Sequence, residues 1–246
     1  MRVLRCLLLL ALPLFAAGCD DDSGSGSESD GGAGPVDAAY APEVDPAKFG
    51  PTVDNPFFPL VPGTVFHYTE ETEDGVETIT TTVTADTRVV AGVTCVVVHD
   101  VAEEDGEVAE DTFDWYAQDD QGNVWYFGED TTAYDGDEST KAGSWEAGVD
   151  GAQPGILMPG DPQVGQRYRQ EYYAGEAEDM GEVLALDAAA TVPHGTYEGC
   201  LRTRDWTPLE PDKVEEKVYC RGVGLVQADL VEGGLEHLEL VSVDAP

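Results

Sequence analysis

The side chains that could do chemistry in this chain are acids and aromatics rather than nucleophiles or bases. Fifty Asp and Glu stand beside four histidines. Beyond the first forty residues the serines are Ser139, Ser144 and Ser242, and none sits in a Gly-x-Ser-x-Gly elbow. His67, His99, His194 and His237 are scattered, so a serine triad has nothing to assemble from. Cys95 and His99 would share a strand face but stand ~13 Å apart, too far for a thiolate–imidazole pair. Zinc needs clustered Cys and His, and neither His-Glu-x-x-His nor Cys-x-x-Cys occurs. What remains for catalysis is a pair of carboxylates of the glycosidase kind, which so acidic a chain supplies without pattern. The chain therefore reads as non-enzymatic, with a carboxylate-based exported hydrolase as an alternative.

Two acidic stretches invite a cation. Glu129, Asp130, Asp135 and Asp137 form one, and Glu176, Glu178 and Asp179 the other. Their ligands would be oxygens, so calcium is the better metal candidate, although neither stretch matches the EF-hand spacing. A calcium-binding exported protein is thus a further alternative, and no other cofactor is expected. The aromatic candidates are Trp115, Tyr116, Trp125, Tyr126, Trp145, Tyr172 and Tyr173. Adjacent residues of a strand point to opposite faces, so one member of each pair fills the core while the other can line a concave, ligand-binding face.

Position in the cell follows from the first nineteen residues. Arg2 and Arg5 precede an apolar run, Leu7 to Ala17, interrupted by Pro13. A basic start, a short apolar centre and small residues before a cut make residues 1–18 a secretory signal. The run is too short to span a bilayer, which needs ~20 residues. Ala16-Ala17-Gly18-Cys19 resembles the lipobox of bacterial lipoproteins, with Ala16 where leucine is usual. The resemblance implies cleavage before Cys19 and acylation of that cysteine by palmitate-like chains. Residues 19–35 are almost wholly Asp, Ser, Gly and Glu, a composition that cannot bury apolar area and serves as a disordered tether. Two or more acyl chains anchor stably without a spanning helix.

Loss of the signal leaves ten basic against fifty acidic side chains, a balance of −40. Phosphate binding needs Lys and Arg, so nucleic acid is excluded as a partner. The expected partners are the lipid bilayer, through Cys19, and an apolar ligand or envelope protein. An exported domain permits disulfides. Cys200 and Cys220 lie in consecutive strand-like segments and could face each other, which leaves Cys95 as a small buried hydrophobe.

Residues 36–62 are proline-rich and read as an extended lead-in, with Asn55 to Leu60 docking its aromatics on the core edge. From residue 63 to 246 period-two alternation dominates. Strands are expected at Val65 to Thr69, Val76 to Thr84, Val93 to Val101, Val108 to Tyr116 and Val124 to Gly128. They resume at Arg167 to Tyr173, Gly181 to Leu186, Tyr197 to Trp206, Val214 to Arg221, Gly224 to Leu230 and His237 to Val243. Residues 129 to 163 read as a loose excursion with one short strand near Trp145, and Ala185 to Ala190 as one helical turn at most. A mainly β single domain follows, with about ten to twelve antiparallel strands in meander order. A curved sheet or half-open barrel is the first choice and a β-sandwich the second.

The segments Asp114 to Asp119, Asn123 to Glu129, Gly143 to Gly148, Thr207 to Pro211 and Tyr219 with Gly222 to Val226 resemble a group of uncharacterised bacterial exported lipoproteins. That resemblance implies one exported β-rich domain and brings no activity. The reading is a membrane-anchored extracytoplasmic lipoprotein of the cell envelope or periplasm, acting as a non-enzymatic binding or scaffold module. Replacing Cys19 with Ser should abolish fatty-acid labelling and move the protein from the membrane to the soluble fraction. Labelling that survives the substitution contradicts the anchor.

Overall fold

The computed structural model describes residues 40–246 except Asp137. The signal, Cys19, the tether and the first residues of the lead-in lie outside them. A 3-10 turn at Pro46–Lys48 leads into a hairpin of β1 (Val53–Asn55) and β2 (Phe58–Leu60). A meander follows: β3 (Val65–Thr72), β4 (Val76–Val90), β5 (Val93–Glu104), β6 (Glu107–Gln118) and β7 (Val124–Asp135). The edge of β7 turned away from β6 is shared by β8 (Glu138–Thr140), β9 (Trp145–Glu146) and β10 (Gln153–Met158). Next come β11 (Arg167–Arg169) and β12 (Glu171–Tyr172). The chain ends with β13 (Met180–Val192), β14 (Gly195–Trp206), β15 (Val214–Cys220), β16 (Gly224–Glu232) and β17 (Glu236–Asp244).

All these strands except β1 and β2 belong to one antiparallel sheet of fifteen strands. Its order runs from β11 through β13 to β17, then β3 to β7, β10 and β12. The last strand, β17, pairs with the first long one, β3. The two ends of the path, β11 and β12, are neighbours in sequence, with Gln170 between them. Arg167–Arg169 bonds to β13 and Glu171–Tyr172 to β10, so one bent stretch holds both margins of the curled sheet. The ladder is interrupted at Gln170, and the architecture is a half-open barrel. Gly155 of β10 crosses this seam so closely that a Cβ would lie 2.3 Å from the Gln170 carbonyl carbon.

Local chemistry accounts for the meander. Alternation is explicit in β3, where Phe66, Tyr68, Glu70 and Thr72 are buried between less buried neighbours. Two of the tight turns place both central residues at positive φ: Ala91 and Gly92, and Asp105 and Gly106. That is the turn whose twist matches a two-residue hairpin.

The sequence differs from the structure in three places. β7 continues to Asp135, and the excursion after it carries β8 and β10 as well as a strand at Trp145. These strands are too short and Gly-rich to show a period. Ala185 to Ala190 is strand, not helix: β13 runs through it with three register shifts against β14, which blur the alternation. Arg167 to Tyr173 is two strands, split at the seam.

Val93 to Val98 is buried on both faces of β5, apart from Thr94. Outside the barrel, Cys95, Val97, Trp115 and Phe127 are covered by the lead-in and by the chain around Glu146. Phe49 meets Phe127 edge-on at 5.5 Å, and Arg88 lies over Trp115 at 4.0 Å while pairing with Glu146 at 2.6 Å. Burial pushes the Cys95 thiol up to about 12, which keeps it an unreactive thiol. Cys200 of β14 and Cys220 of β15 are joined by a disulfide.

Gly128 bulges β7 to admit β9. Its φ is +128°, and a Cβ there would lie 2.3 Å from the Trp145 carbonyl oxygen. Gly128→Ala should therefore lower unfolding free energy by about 3 kcal/mol in a urea melt, from backbone strain and overpacking together. Gly50→Ala, where nothing lies within 4 Å, should stay within about 0.5 kcal/mol of the parent.

Candidate functional site

The inward faces change character along the barrel. β3 runs Phe66, Tyr68, Glu70, Thr72, and on β4 Thr81, Ile79 and Glu77 stand opposite the first three. β6 runs inward from Tyr116 through Asp114 and Thr112 to Glu110. β15 runs from Tyr219 through Lys217 to Glu215. β6 and β15 thus begin aromatic and end acidic, and β3 and β4 turn from apolar to acidic at the facing pair Glu70 and Glu77. The aromatic end is sealed by β2 of the lead-in and by the turn into β16.

Beneath that seal lies a cavity of about 50 Å3. Its walls are the rings of Phe58, Phe66, Tyr68, Tyr116 and Tyr219, with Pro59, Leu60, Val98, Val223, Gly224 and Leu225. Phe58 stands edge-on to Tyr116 at 5.4 Å, and the Tyr68 hydroxyl donates to the Leu225 carbonyl at 3.3 Å. Besides the tyrosines, the polar residues of the lining are Asp100 and Thr81, directly opposite each other on β5 and β4.

Asp100 ends a chain of inward carboxyls. Asp114 and Glu129 are directly opposite on β6 and β7, a pairing that repels when both are ionised. The Tyr126 hydroxyl lies between them, 2.7 Å from Asp114 Oδ1 and 3.0 Å from Glu129 Oε2. One hydroxyl hydrogen cannot serve two carboxylates, so one of the pair carries its own proton. Burial drives the pKa of both well above the usual range. Asp100 and the neighbouring Glu129 charge add to this for Asp114, and Glu110 and Asp179 for Glu129. Asp114 and Asp100 also act on each other, in the sense that raises Asp114 and lowers Asp100. A consistent assignment has one of Asp114 and Glu129 protonated and donating to the Tyr126 oxygen, while Tyr126 donates to the other. Burial raises the Asp100 pKa too, while Thr81, Asp114 and His99 act in the opposite sense. Thr81 is close enough to favour the ionised form, yet Asp100 Oδ1 and Thr81 Oγ1 make no hydrogen bond of ordinary geometry.

A second set lies at the seam. Glu171 is buried, and burial first, then Asp179 and Glu129, push its pKa well up. The Trp145 N–H approaches it and acts in the opposite sense, but neither Nε1 nor either carboxyl oxygen has a partner at hydrogen-bond geometry. Lys217, 2% exposed, resolves the neighbouring charges differently, with Nζ 3.1 Å from Asp205 and 3.0 Å from Glu215. Burial lowers the lysine pKa, and the two carboxylates reverse this to hold it well above the usual value. Gln170 donates to Asp205 at 3.2 Å and ties the group to the break in the ladder.

The aromatic residues singled out from sequence are dispersed. Tyr116 lines the cavity. Tyr126 and Trp145 are buried and meet edge-on at 5.3 Å behind it. Trp115 is buried on the outer face beneath Arg88, and the Trp125 N–H donates to Asp119 at 2.9 Å in a turn. Tyr172 packs on Tyr40 at 5.9 Å beside Arg169, and Tyr173 closes a turn with Ala177. The acidic stretches do not assemble either. Glu129 and Asp179 point inward, whereas Asp130 pairs with Lys141 at 2.5 Å and Asp135 is exposed. Glu176 is exposed, and Glu178 accepts from the Gly175 N–H at 2.9 Å. Asp137 lies outside the described residues. Among the described residues, no group of three or more His, Cys, Asp or Glu side chains is arranged to hold a metal ion. Strand alternation separates neighbours that the sequence placed together. The cavity residues Phe58, Phe66, Tyr68, Tyr219, Asp100 and Thr81 come from five separate strands, and the inward alternation of β3, β4 and β5 was the signal that could have found four of them.

No family model and no curated protein matches this chain. Among solved structures, a protein of Bacteroides fragilis assigned as exported and given a YmcC-like fold is 14% identical, with a TM-score of 0.45. The match covers 77% of this chain and 99% of that one. A protein of Parabacteroides distasonis assigned as a lipoprotein is 13% identical, with a TM-score of 0.43, over 76% of this chain and 98% of that one. Likenesses at this level bring no function to this chain.

The protonated carboxyls set a pH dependence. Folded, they hold protons that the unfolded chain releases once pH passes the ordinary carboxylate range. The folded state therefore binds more protons there, and stability falls as pH rises. The melting temperature should be higher near pH 5 than near pH 8. Glu171→Gln should shrink that difference, and Glu107→Gln, on the exposed surface, should leave it unchanged. A melting temperature that rises toward pH 8 contradicts the assignment.

Proposed function

We propose that this chain is a lipid-anchored extracytoplasmic binding module, without enzymatic activity, whose ligand sits in the aromatic cavity under β2. The observation that carries this reading is the ring-lined cavity itself. Close packing leaves few voids in a protein interior, and those that stay open are shaped by what they hold. Here the void is faced by five rings and by a carboxyl oxygen with no partner. The signal, the acylatable Cys19 and the acidic tether support a position outside the cytoplasm at a membrane.

The convergence of Asp100 and Asp114 is also what a carboxylate-based hydrolase would need. Its geometry favours binding, because Asp100 borders the cavity while Asp114 lies behind it, bonded to Tyr126. A hydrolytic pair must present both carboxyls to the scissile bond.

Native mass spectrometry of the acylated protein extracted from its own membrane tests the proposal. A small molecule should copurify at near one-to-one occupancy. Leu225→Trp, which fills the cavity, should lose it while keeping the same far-ultraviolet circular dichroism. An unliganded parent protein, or a ligand retained by the filled variant, overturns the reading.

A further inference from the structure

We infer that the ligand presents a small alkylammonium group, held by the Asp100 carboxylate and by the faces of the surrounding tyrosine and phenylalanine rings. This rests on the binding-module reading and adds the chemical class of the ligand. The starting point is an imbalance of charge. The cavity lining contains one carboxyl and no Lys, Arg or His. The buried Lys217 lies outside the lining and is already held between Asp205 and Glu215. His99, next to Asp100 in sequence, points to the outer face and bonds Asp111 at 3.0 Å. Asp100 is 7% exposed, and its Oδ1 has no hydrogen-bond partner. Thr81 Oγ1, 8% exposed and also without a partner, faces the same space.

An unpaired buried carboxylate is costly, and a ligand that brings a positive charge with N–H donors removes that cost. Aromatic faces attract the same group through their quadrupole, and they are the usual cage for alkylated ammonium. A bare divalent cation fits poorly, because calcium takes six to eight oxygen ligands, mostly carboxylates and carbonyls, and the side chains of this lining offer one carboxyl beside neutral hydroxyls. A neutral apolar ligand would fill the rings and leave both oxygens unpartnered. The volume, about 50 Å3, is on the scale of a few water molecules, so a head group enters rather than a long chain. The same ammonium chemistry is carried by free small amines and by aminated lipid head groups.

Titration calorimetry on the acylated full-length protein in neutral detergent separates these cases. The probes are methylammonium chloride, glycerophosphoethanolamine and tert-butanol, each against sodium chloride at equal ionic strength. Methylammonium should bind saturably and tert-butanol should not. Tighter binding of glycerophosphoethanolamine than of methylammonium assigns the group to a lipid head, and the reverse order to a free amine. Asp100→Asn, which keeps the shape and removes the charge, should weaken methylammonium at least tenfold. Thr81→Val should weaken it several-fold, and both variants should melt cooperatively. Tert-butanol binding equally well to the parent and to Asp100→Asn would show a neutral ligand, leaving the module reading intact and sinking the ammonium assignment. Absence of methylammonium binding, or binding indifferent to Asp100→Asn, overturns it as well.

Discussion

A shortage of protons and counter-charges inside the barrel governs this structure. Curling an antiparallel sheet sends every second side chain to a space from which water is largely removed. In this chain those positions include Asp100, Asp114, Glu129, Glu171, Asp179 and Asp205. Like charges facing each other across strands and out of water cannot all stay ionised. Two solutions coexist. At Asp205 and Glu215 the chain supplies Lys217. At Asp114 and Glu129 it supplies Tyr126, whose single hydrogen must be supplemented by protons held on the carboxyls themselves.

The placement of these groups gives the cavity its character. The inward carboxyls Glu129 and Asp114, joined through Tyr126, lead toward the aromatic end and to Asp100, where a carboxyl oxygen has nothing to accept from. The lead-in contributes Phe58 to Leu60 as the cover, so a segment outside the main sheet completes the cavity. The seam at Gln170 lies beside the other charge cluster and is tied to it through Asp205. Sheet closure and charge compensation are thus linked. The polar interior is compensated by bonds at Tyr126 and Lys217, and elsewhere by protons that buried carboxyls hold.

Much of the architecture was legible in the sequence. The alternation of β3 through β6 and of β14 through β17 set both the strands and their meander, and the Asp105-Gly106 pair marked its hairpin. The short strands on β7 escaped because two or three residues carry no period. β13 escaped at Ala185 to Ala190 because its bulges break the alternation there. The site was less legible. Adjacent aromatics such as Trp115 and Tyr116 draw the eye, yet a strand sends them to opposite faces, and Tyr116 alone of the seven lines the cavity. The acidic runs misled for the same reason: Glu129 points inward and Asp130 outward to Lys141. Asp100, followed by nothing that marks it, acquires its role from Asp114, fourteen positions away in sequence.

The proton-holding interior can be observed directly. Infrared spectroscopy of the folded protein in buffered heavy water at neutral pH distinguishes protonated carboxyls from carboxylates by their separate carbonyl stretches. The account predicts a protonated-carboxyl band in the folded protein that vanishes on unfolding at the same pH. A folded spectrum with carboxylate bands and no protonated carboxyl would contradict it.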